Sequence, residues 1–520
     1  MSASGASGVR ATARPLAELL SGFVAAPPEV PVSDVTLDSR AATPGALFLA
    51  CRGHTHHGLE FAPEASARGA RVVLYEPEGA PDKLPPLAAG TSVVALPELS
   101  AHAGVIAARF FGEPSQHLTV AGITGTNGKT TCAWLLAQAL ERCHRPAAYI
   151  GTLGAGRPPH LAPTRHTTPD AVTVQRLLAQ LRAQGAECVS MEVSSHALDQ
   201  ARVNGVHFHT AAFTNLTRDH LDYHGTMEAY GAAKARLFGW PDLAWRIINV
   251  DDPFGAALAG VTPAPRWLAA GKPAAAGRLI VTTRSATAAV PDGAQFVRAV
   301  GVRPDSAGLL IDVDSSFGSA ELAVRLVGEF NVDNVLTVLA VLLAWDIPLP
   351  AAAQALSRAR AASGRMEMFG GRGRSPLAIV DYAHTPDALA QALRAARLHC
   401  RAQLRVVFGC GGDRDPGKRP LMGRVAAELA DDIVLTDDNP RSEDPARIVA
   451  DVVAGVAPGT PLVIEHDRAL AIRMALQRSV ADDVVLVAGK GHEDQQIIGA
   501  ERRAFRDQAI VADELARLLA

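Results

Sequence analysis

Gly125-Thr126-Asn127-Gly128-Lys129-Thr130-Thr131 decides the reading of the fold. The apolar run Leu118 to Ile123 before it has the character of a strand, and the pattern from Thr130 to Arg142 after it is helical. A glycine-rich loop at such a junction puts backbone N–H groups and the positive end of a helix where a phosphate can meet them. Lys129 would then hold β- and γ-phosphates as a point charge, and Thr130 would offer its hydroxyl to Mg²⁺. A strict GxxxxGK[ST] pattern needs glycine where Ile123 stands; Gly122 comes one residue early, so the loop is of a variant class.

Outward from this loop, strand candidates at Cys188 to Val193, Ala211 to Phe213 and Arg246 to Val250 alternate with helical stretches, which predicts a parallel sheet with crossover helices. Short alternating runs between Arg278 and Leu326 suggest a small antiparallel insert before a helix that begins near Asn331. After Pro348 the alternation restarts, with strands expected at Leu377 to Asp381, Leu404 to Phe408, Asp432 to Leu435, Pro461 to Ile464 and Val484 to Val487, and a last helix near Ala512 to Leu519. The turn-rich stretch Gly112-Glu113-Pro114-Ser115 closes an earlier block. An α/β chain of three domains follows, at residues 1–113, 114–347 and 348–520.

Basic and acidic residues nearly balance, 50 against 53, for a formal net charge of -3. No global field recruits nucleic acid or a membrane surface, so partners must be recognised locally. Cys51, Cys132, Cys143, Cys188, Cys400 and Cys410 lack CxxC pairing, which argues against a zinc site or disulfide framework and fits a reducing compartment. The stretch Leu16 to Ala26 is interrupted by Glu18 and Ser21, and Val335 to Trp345 is about half the ~20 residues that cross a bilayer. A cytoplasmic protein without membrane insertion is expected.

Two further segments carry dense chemistry at strand ends. Cys188 to Val193 closes on Glu192, a candidate metal ligand, and Asn215-Leu216-Thr217-Arg218-Asp219-His220-Leu221-Asp222 follows another strand. With the loop at Gly125 to Thr131, the stretches Met191 to Leu198 (MEVSSHAL), Thr214 to Gly225 (TNLTRDHLDYHG), Gly328 to Asn334, Gly364 to Glu367 and Asp381 to Pro386 occur in an order that resembles the Mur ligase family across nearly the whole chain. The resemblance implies an amino-terminal UDP-binding α/β domain, a central P-loop ATPase domain with a parallel sheet, and a carboxy-terminal Rossmann-like domain. It also implies an ATP-dependent, amide-forming ligase that works through an acyl phosphate, in peptidoglycan precursor synthesis and hence in cell-wall growth, shape and division.

By the same resemblance Gly125 to Thr131 bind ATP, with Asn331, Arg365 and Asp381 positioning the nucleotide. Lys129, Lys234 and His220 are the expected catalytic residues. Thr130, Glu192, His220 and Lys234, the last as a carbamate, are expected to hold Mg²⁺. Residue patterning alone makes Lys234 a surface lysine. The uridine substrate would be met by Leu37, Ser39, His54, Thr55 and His56, and its muramoyl dipeptide by Thr167, Thr168, Ser194, Gln200 and Arg202. Between His54 and His57 the sequence departs from some relatives, and His166 stands where an asparagine is common.

The amino acid acceptor is read from two further motifs. Asp438-Asn439-Pro440-Arg441 follows a strand and resembles the segment with which the diaminopimelate-adding branch of the family reads its substrate. Meso-2,6-diaminopimelate differs from lysine by a second carboxylate, which a guanidinium can bind through paired charge-assisted hydrogen bonds. Arg414, Gly489 and Glu493 complete that expected pocket, with Glu493 facing an ammonium group. The resemblance thus implies joining of meso-diaminopimelate to the D-glutamate γ-carboxylate of UDP-N-acetylmuramoyl-L-alanyl-D-glutamate. A dinucleotide site around Gly409 and Gly411 is disfavoured, because Arg414 occupies the third position of GxGxxG. A folate or cyanophycin-type ligase, a P-loop kinase or GTPase, and a non-catalytic nucleotide-binding protein share the phosphate loop but explain fewer of the other motifs.

Overall fold

The computed structural model describes residues 12–53, 55–263 and 277–519. The chain separates into two compact units. One runs to Thr282 and includes Ala289–Gln295 and Ala340–Trp345; the other contains Thr283–Ala288, Phe296–Leu339 and the chain from Asp346 onward.

In the first unit, the strands Asp34–Thr36, Ala46–Ala50, Val72–Tyr75 and Ser92–Ala95 pair in chain order as a parallel sheet. The helix Leu99–Phe110 packs its buried face, Leu99, Ala103, Ile106, Ala107 and Phe110, into the same core as Leu47, Leu49, Val72 and Leu74. Six parallel strands form the larger sheet, in the spatial order Ala147–Gly151, Cys188–Glu192, Thr119–Thr124, Thr210–Phe213, Trp245–Asn249 and Arg278–Thr283. An antiparallel hairpin, Gly154–Arg157 with His160–Ala162, extends its edge. These strands are almost wholly apolar, as a sheet covered on both faces requires.

The strand Arg278–Thr283 corrects the expectation of an antiparallel insert from Arg278. It pairs parallel with Trp245–Asn249, and the antiparallel part begins at Gln295–Asp305, followed by Gly308–Ser315 and Gly318–Val324. Alternation of side chains predicts a strand but not the direction of its partner.

In the second unit, six strands lie in the order Glu367–Gly370, Leu377–Asp381, Val484–Ala488, Leu404–Phe408, Asp432–Leu435 and Leu462–Ile464, all parallel apart from the first. Successive residues feed opposite cores: Val484, Leu486 and Ala488 face one, Val485 and Val487 the other. Helices cover both faces, among them Pro386–Arg397 and Lys418–Leu429 on the first and Arg468–Gln477 and Asp507–Leu519 on the second. The expected last helix therefore starts earlier, at Asp507. The helix Phe330–Ala344 is buried along nearly its full length, and among the described residues no helix is long and apolar enough to cross a membrane.

Candidate active site

Polar residues gather where the parallel strands end. The phosphate loop leaves the strand Thr119–Thr124 between the carboxyl ends of Cys188–Glu192 and Thr210–Phe213. Gly125 has φ +151° and Gly128 φ +84°, and a Cβ on Gly125 would overlap the Thr214 hydroxyl, so the loop's path depends on these glycines. The loop is laced to the following strand end: Thr126 N donates to Asn215 O at 2.8 Å, Asn127 N to Asn215 Oδ1 at 2.9 Å, and Thr214 Oγ1 to Asn127 O at 2.5 Å. The helix Lys129–Arg142 begins at Gly128 without a side-chain cap, which suits an anion at its first N–H groups.

Two lysines converge on this loop. Lys129 Nζ donates to the carbonyls of Gly125 and Thr126 at 2.9 and 2.8 Å, and burial holds its pKa below the usual lysine range against the pull of Glu192 and Asp219. Lys234 Nζ donates to the same Gly125 carbonyl at 2.7 Å and lies 4.4 Å from the centre of the Tyr230 ring. Lys234 is 1% exposed, which overturns the surface placement that patterning alone suggests. The helix Met227–Ala235 sets Tyr230 and Lys234 four residues apart on its buried face. Burial first, then the charge of Lys129, bring the Lys234 pKa from 10.5 to about 6, against the opposing effect of Asp219.

Glu192 is fully buried, and its carboxylate is saturated by neighbours. Oε1 accepts from Tyr149 OH at 2.5 Å and Thr152 N at 2.9 Å; Oε2 accepts from Thr130 Oγ1 at 2.9 Å and Thr152 Oγ1 at 3.3 Å. Thr130 and Glu192 are thus brought together directly. His220 has φ +52°, lies 3.4 Å from Asp219 and is joined to the loop through Tyr230, whose ring stands edge-on to it and whose hydroxyl is 3.2 Å from Thr126 Oγ1. Among the described residues no three His, Cys, Asp or Glu side chains converge as a metal cage. Magnesium keeps several waters and needs only one or two carboxylates, so a hydroxyl beside a carboxylate fits this ion.

The residues expected to meet the muramoyl dipeptide are linked by hydrogen bonds beside Glu192. Thr168 donates to the Glu192 carbonyl at 2.8 Å, accepts from Ser194 N at 3.1 Å, and its own carbonyl accepts from Arg202 Nη1 at 3.1 Å. Arg202 Nε donates to Gln200 Oε1 at 2.9 Å, and Gln200 Nε2 reaches Tyr223 OH at 3.0 Å. Thr167 joins through Thr152 at 3.0 Å. Leu37 packs at the edge of the amino-terminal core, and Ser39 donates to Glu64 at 2.6 Å. Thr55 is exposed, His56 faces Glu60 at 3.2 Å, and His54 lies outside the described residues. His57 has both ring nitrogens engaged, accepting from Leu59 N and meeting Glu76 O at 2.9 Å.

The second unit holds Asn331, Arg365 and Asp381, which are expected to position the nucleotide. Asn331 Nδ2 donates to Val327 O at 2.8 Å, and its Oδ1 accepts from Asn334 at 2.8 Å. Asp381 accepts from Met366 N at 2.8 Å and Ala383 N at 2.9 Å, tying the loop of Arg365 to its strand, while burial raises its pKa. Arg365 lies 5.3 Å from the centre of the Tyr382 ring.

The acceptor-side residues also meet. Asn439 Nδ2 donates to Glu493 Oε2 at 2.8 Å, and Gly489 N donates to Asp381 O at 3.1 Å. Arg441 Nη1 donates to Gly412 O at 2.6 Å, at the turn after Pro440. A Cβ on Gly411 would stand 2.9 Å from Arg441 Nη1 and 3.7 Å from Arg414 Cγ, so both arginines approach that glycine. Buried Arg419 braces the turn, with Glu443 and Asp451 each at 2.9 Å. The sequence reading missed Tyr149, Thr152 and Lys490. Lys490 lies between Gly489 and Glu493 just past a strand end, where its neighbours could have flagged it, whereas a mid-strand Tyr149 reads as core.

The chain matches the Mur ligase middle domain over residues 123–342, the Mur ligase glutamate ligase domain over 364–491 and the Mur ligase family catalytic domain over 31–111. It is 49% identical over 494 residues to the UDP-N-acetylmuramoyl-L-alanyl-D-glutamate–2,6-diaminopimelate ligase of Alkalilimnicola ehrlichii, covering 93% of this chain and 95% of that one. A solved structure of a ligase with the same name shares 34% identity with a TM-score of 0.75, over 98% of this chain and all of the other. The MurF ligase of Thermotoga maritima, solved with ADP, shares the fold at 15% identity and a TM-score of 0.57, over 93% and 98% of the two chains. A glycine-rich loop laced to strand ends, a polar cluster at the strand ends of a second sheet and this likeness over almost the full length converge: the chain belongs to the Mur ligase family.

Proposed function

We propose that this protein is the ATP-dependent ligase that joins meso-2,6-diaminopimelate to the D-glutamate γ-carboxylate of UDP-N-acetylmuramoyl-L-alanyl-D-glutamate, in peptidoglycan precursor synthesis. The observation that carries this reading is the near full-length identity to a ligase of that name. The residues of the acceptor side fit it: Arg441 and Arg414 both approach Gly411, where they would meet carboxylates, and Glu493 would meet an ammonium group.

The substrate γ-carboxylate attacks the γ-phosphate of ATP, forming an acyl phosphate and releasing ADP. The diaminopimelate amine then attacks the acyl carbon, and phosphate leaves from the tetrahedral intermediate. Lys129 and the loop N–H groups stabilise charge on the transferring phosphoryl group. Thr130, Glu192, His220 and a carbamylated Lys234 would hold Mg²⁺, which supplies charge neutralisation at the phosphates. Lys234 suits carbamylation because its amine is largely neutral near pH 7: Nζ bonds to carbon dioxide and loses a proton. Asn331, Arg365 and Asp381 serve the base and ribose; Leu37, Ser39 and His54 to His56 serve the uridine; Thr167, Thr168, Ser194, Gln200 and Arg202 serve the muramoyl dipeptide. The corresponding domains are 1–113, 114–347 and 348–520, and the protein works in the cytoplasm.

The test is ADP release with the UDP-linked dipeptide, ATP and Mg²⁺, comparing meso-diaminopimelate with L-lysine and identifying product by mass. Product with diaminopimelate alone is expected. Preference for lysine would overturn the acceptor, and no amide product from folded protein would overturn the reaction.

A further inference from the structure

Beneath the acceptor-side residues the second unit buries a network of charges. Lys490 is 0% exposed, with Nζ 3.4 Å from Asp438 Oδ1, 3.0 Å from Asn439 Oδ1 and 3.2 Å from Glu493 Oε2. Asn439 closes the ring, donating from Nδ2 to the same Glu493 oxygen and accepting from Ile497 N at 2.9 Å on Oδ1. Below it, Arg468 and Asp507 form a sealed ion pair at 2.7 Å. Burial raises the Asp438 pKa, opposed by Arg468 and then by Lys490. Three carboxylates (Asp438, Glu493, Asp507) face two cations (Lys490, Arg468) within this network.

A buried ion pair is seldom the most stabilising use of such a position; apolar side chains of similar volume often serve stability as well or better. Here, however, the three partners of the lysine are all residues that read the acceptor. Both restraints on Glu493 fall on Oε2, so the carboxylate is anchored by one oxygen while its side chain stays 33% exposed. We propose that Lys490 is a positioning residue for the acceptor: it fixes Glu493 so that an ammonium group is met there while a carboxylate is met by Arg441. This rests on the diaminopimelate reading given above.

The experiment uses the full-length enzyme with Lys490→Met, Glu493→Gln, the double variant and Arg441→Ala, following ADP release while diaminopimelate and ATP are varied in turn. Lys490→Met should raise the KM for diaminopimelate at least about tenfold, with the KM for ATP unchanged and kcat altered far less. The double variant should match Glu493→Gln, because the lysine acts through the glutamate. An unchanged diaminopimelate KM in folded Lys490→Met overturns the proposal. If that variant does not fold, the double variant decides: a KM well above that of Glu493→Gln overturns the proposal, and equality supports it. Arg441→Ala separates the two readings. If its diaminopimelate KM is unchanged, the acceptor pocket itself is misassigned; if it rises while the lysine variants are neutral, only the role of Lys490 falls.

Discussion

Lys234 in the first unit and Lys490 in the second are both removed from water, yet their surroundings differ. Lys234 meets a backbone carbonyl and an aromatic face, with Lys129 close enough to oppose its charge. Lys490 meets two carboxylates and a carboxamide. Burial alone does not decide the chemistry of a lysine; the charge of its neighbours does. One environment prepares an amine that can react, and the other holds an ion pair that shapes a pocket.

This contrast can be broken most sharply through stability. Lys490→Met should lower the unfolding free energy in urea by about 3–5 kcal/mol, since it strands Asp438 and Glu493. An unchanged midpoint would show that those carboxylates need no cation. Next, Lys129→Ala should reduce kcat by on the order of 10²–10³ as read by ADP release, with the protein still folded. Wild-type turnover would remove the loop from the chemistry. For Arg441→Ala we expect a loss of about 2 kcal/mol in acceptor binding, roughly a 30-fold rise in the diaminopimelate KM.

The smallest effect concerns Lys234→Met and pH. The folded pKa of about 6 lies below the ordinary lysine value of 10.5, so between these values the unfolded chain binds more protons and stability rises with pH. The contribution is at most about 1.4 kcal/mol per pH unit. In bicarbonate-free buffer, the variant should lose that rise between about pH 6.5 and about pH 8.5 when followed by urea unfolding. A slope identical to wild type would mean that Lys234 keeps its proton when buried.

The parallel sheets were legible because apolar strands stop abruptly at polar residues: Thr124 before the glycine loop, Glu192, and Leu435 before Asp438. Direction of pairing was not legible: Arg278–Thr283 reads as part of the antiparallel insert but pairs parallel with Trp245–Asn249. The charged hairpin Gln495–Ile498 with Glu501–Ala504 carries no apolar alternation in its second strand and escaped notice, although Ile497 N holds Asn439. The identities of the candidate site residues could be read at strand ends, but their partners could not. Nothing in the chain around Tyr149 announces Glu192, 43 residues away.

Arg441 also has a backbone that its side chain does not favour. It sits at φ +54°, pinned by hydrogen bonds to Ile497 O at 3.1 Å and from Gly499 N at 2.7 Å. A left-handed conformation costs a residue such as arginine roughly 1–2 kcal/mol, whereas asparagine adopts it more readily. Replacement by glycine or asparagine at this position would relax the turn and lose the guanidinium. If Arg441 reads the acceptor as proposed, the substitutions that relax this turn are also ones that remove its guanidinium, so stability and acceptor choice are coupled at one residue.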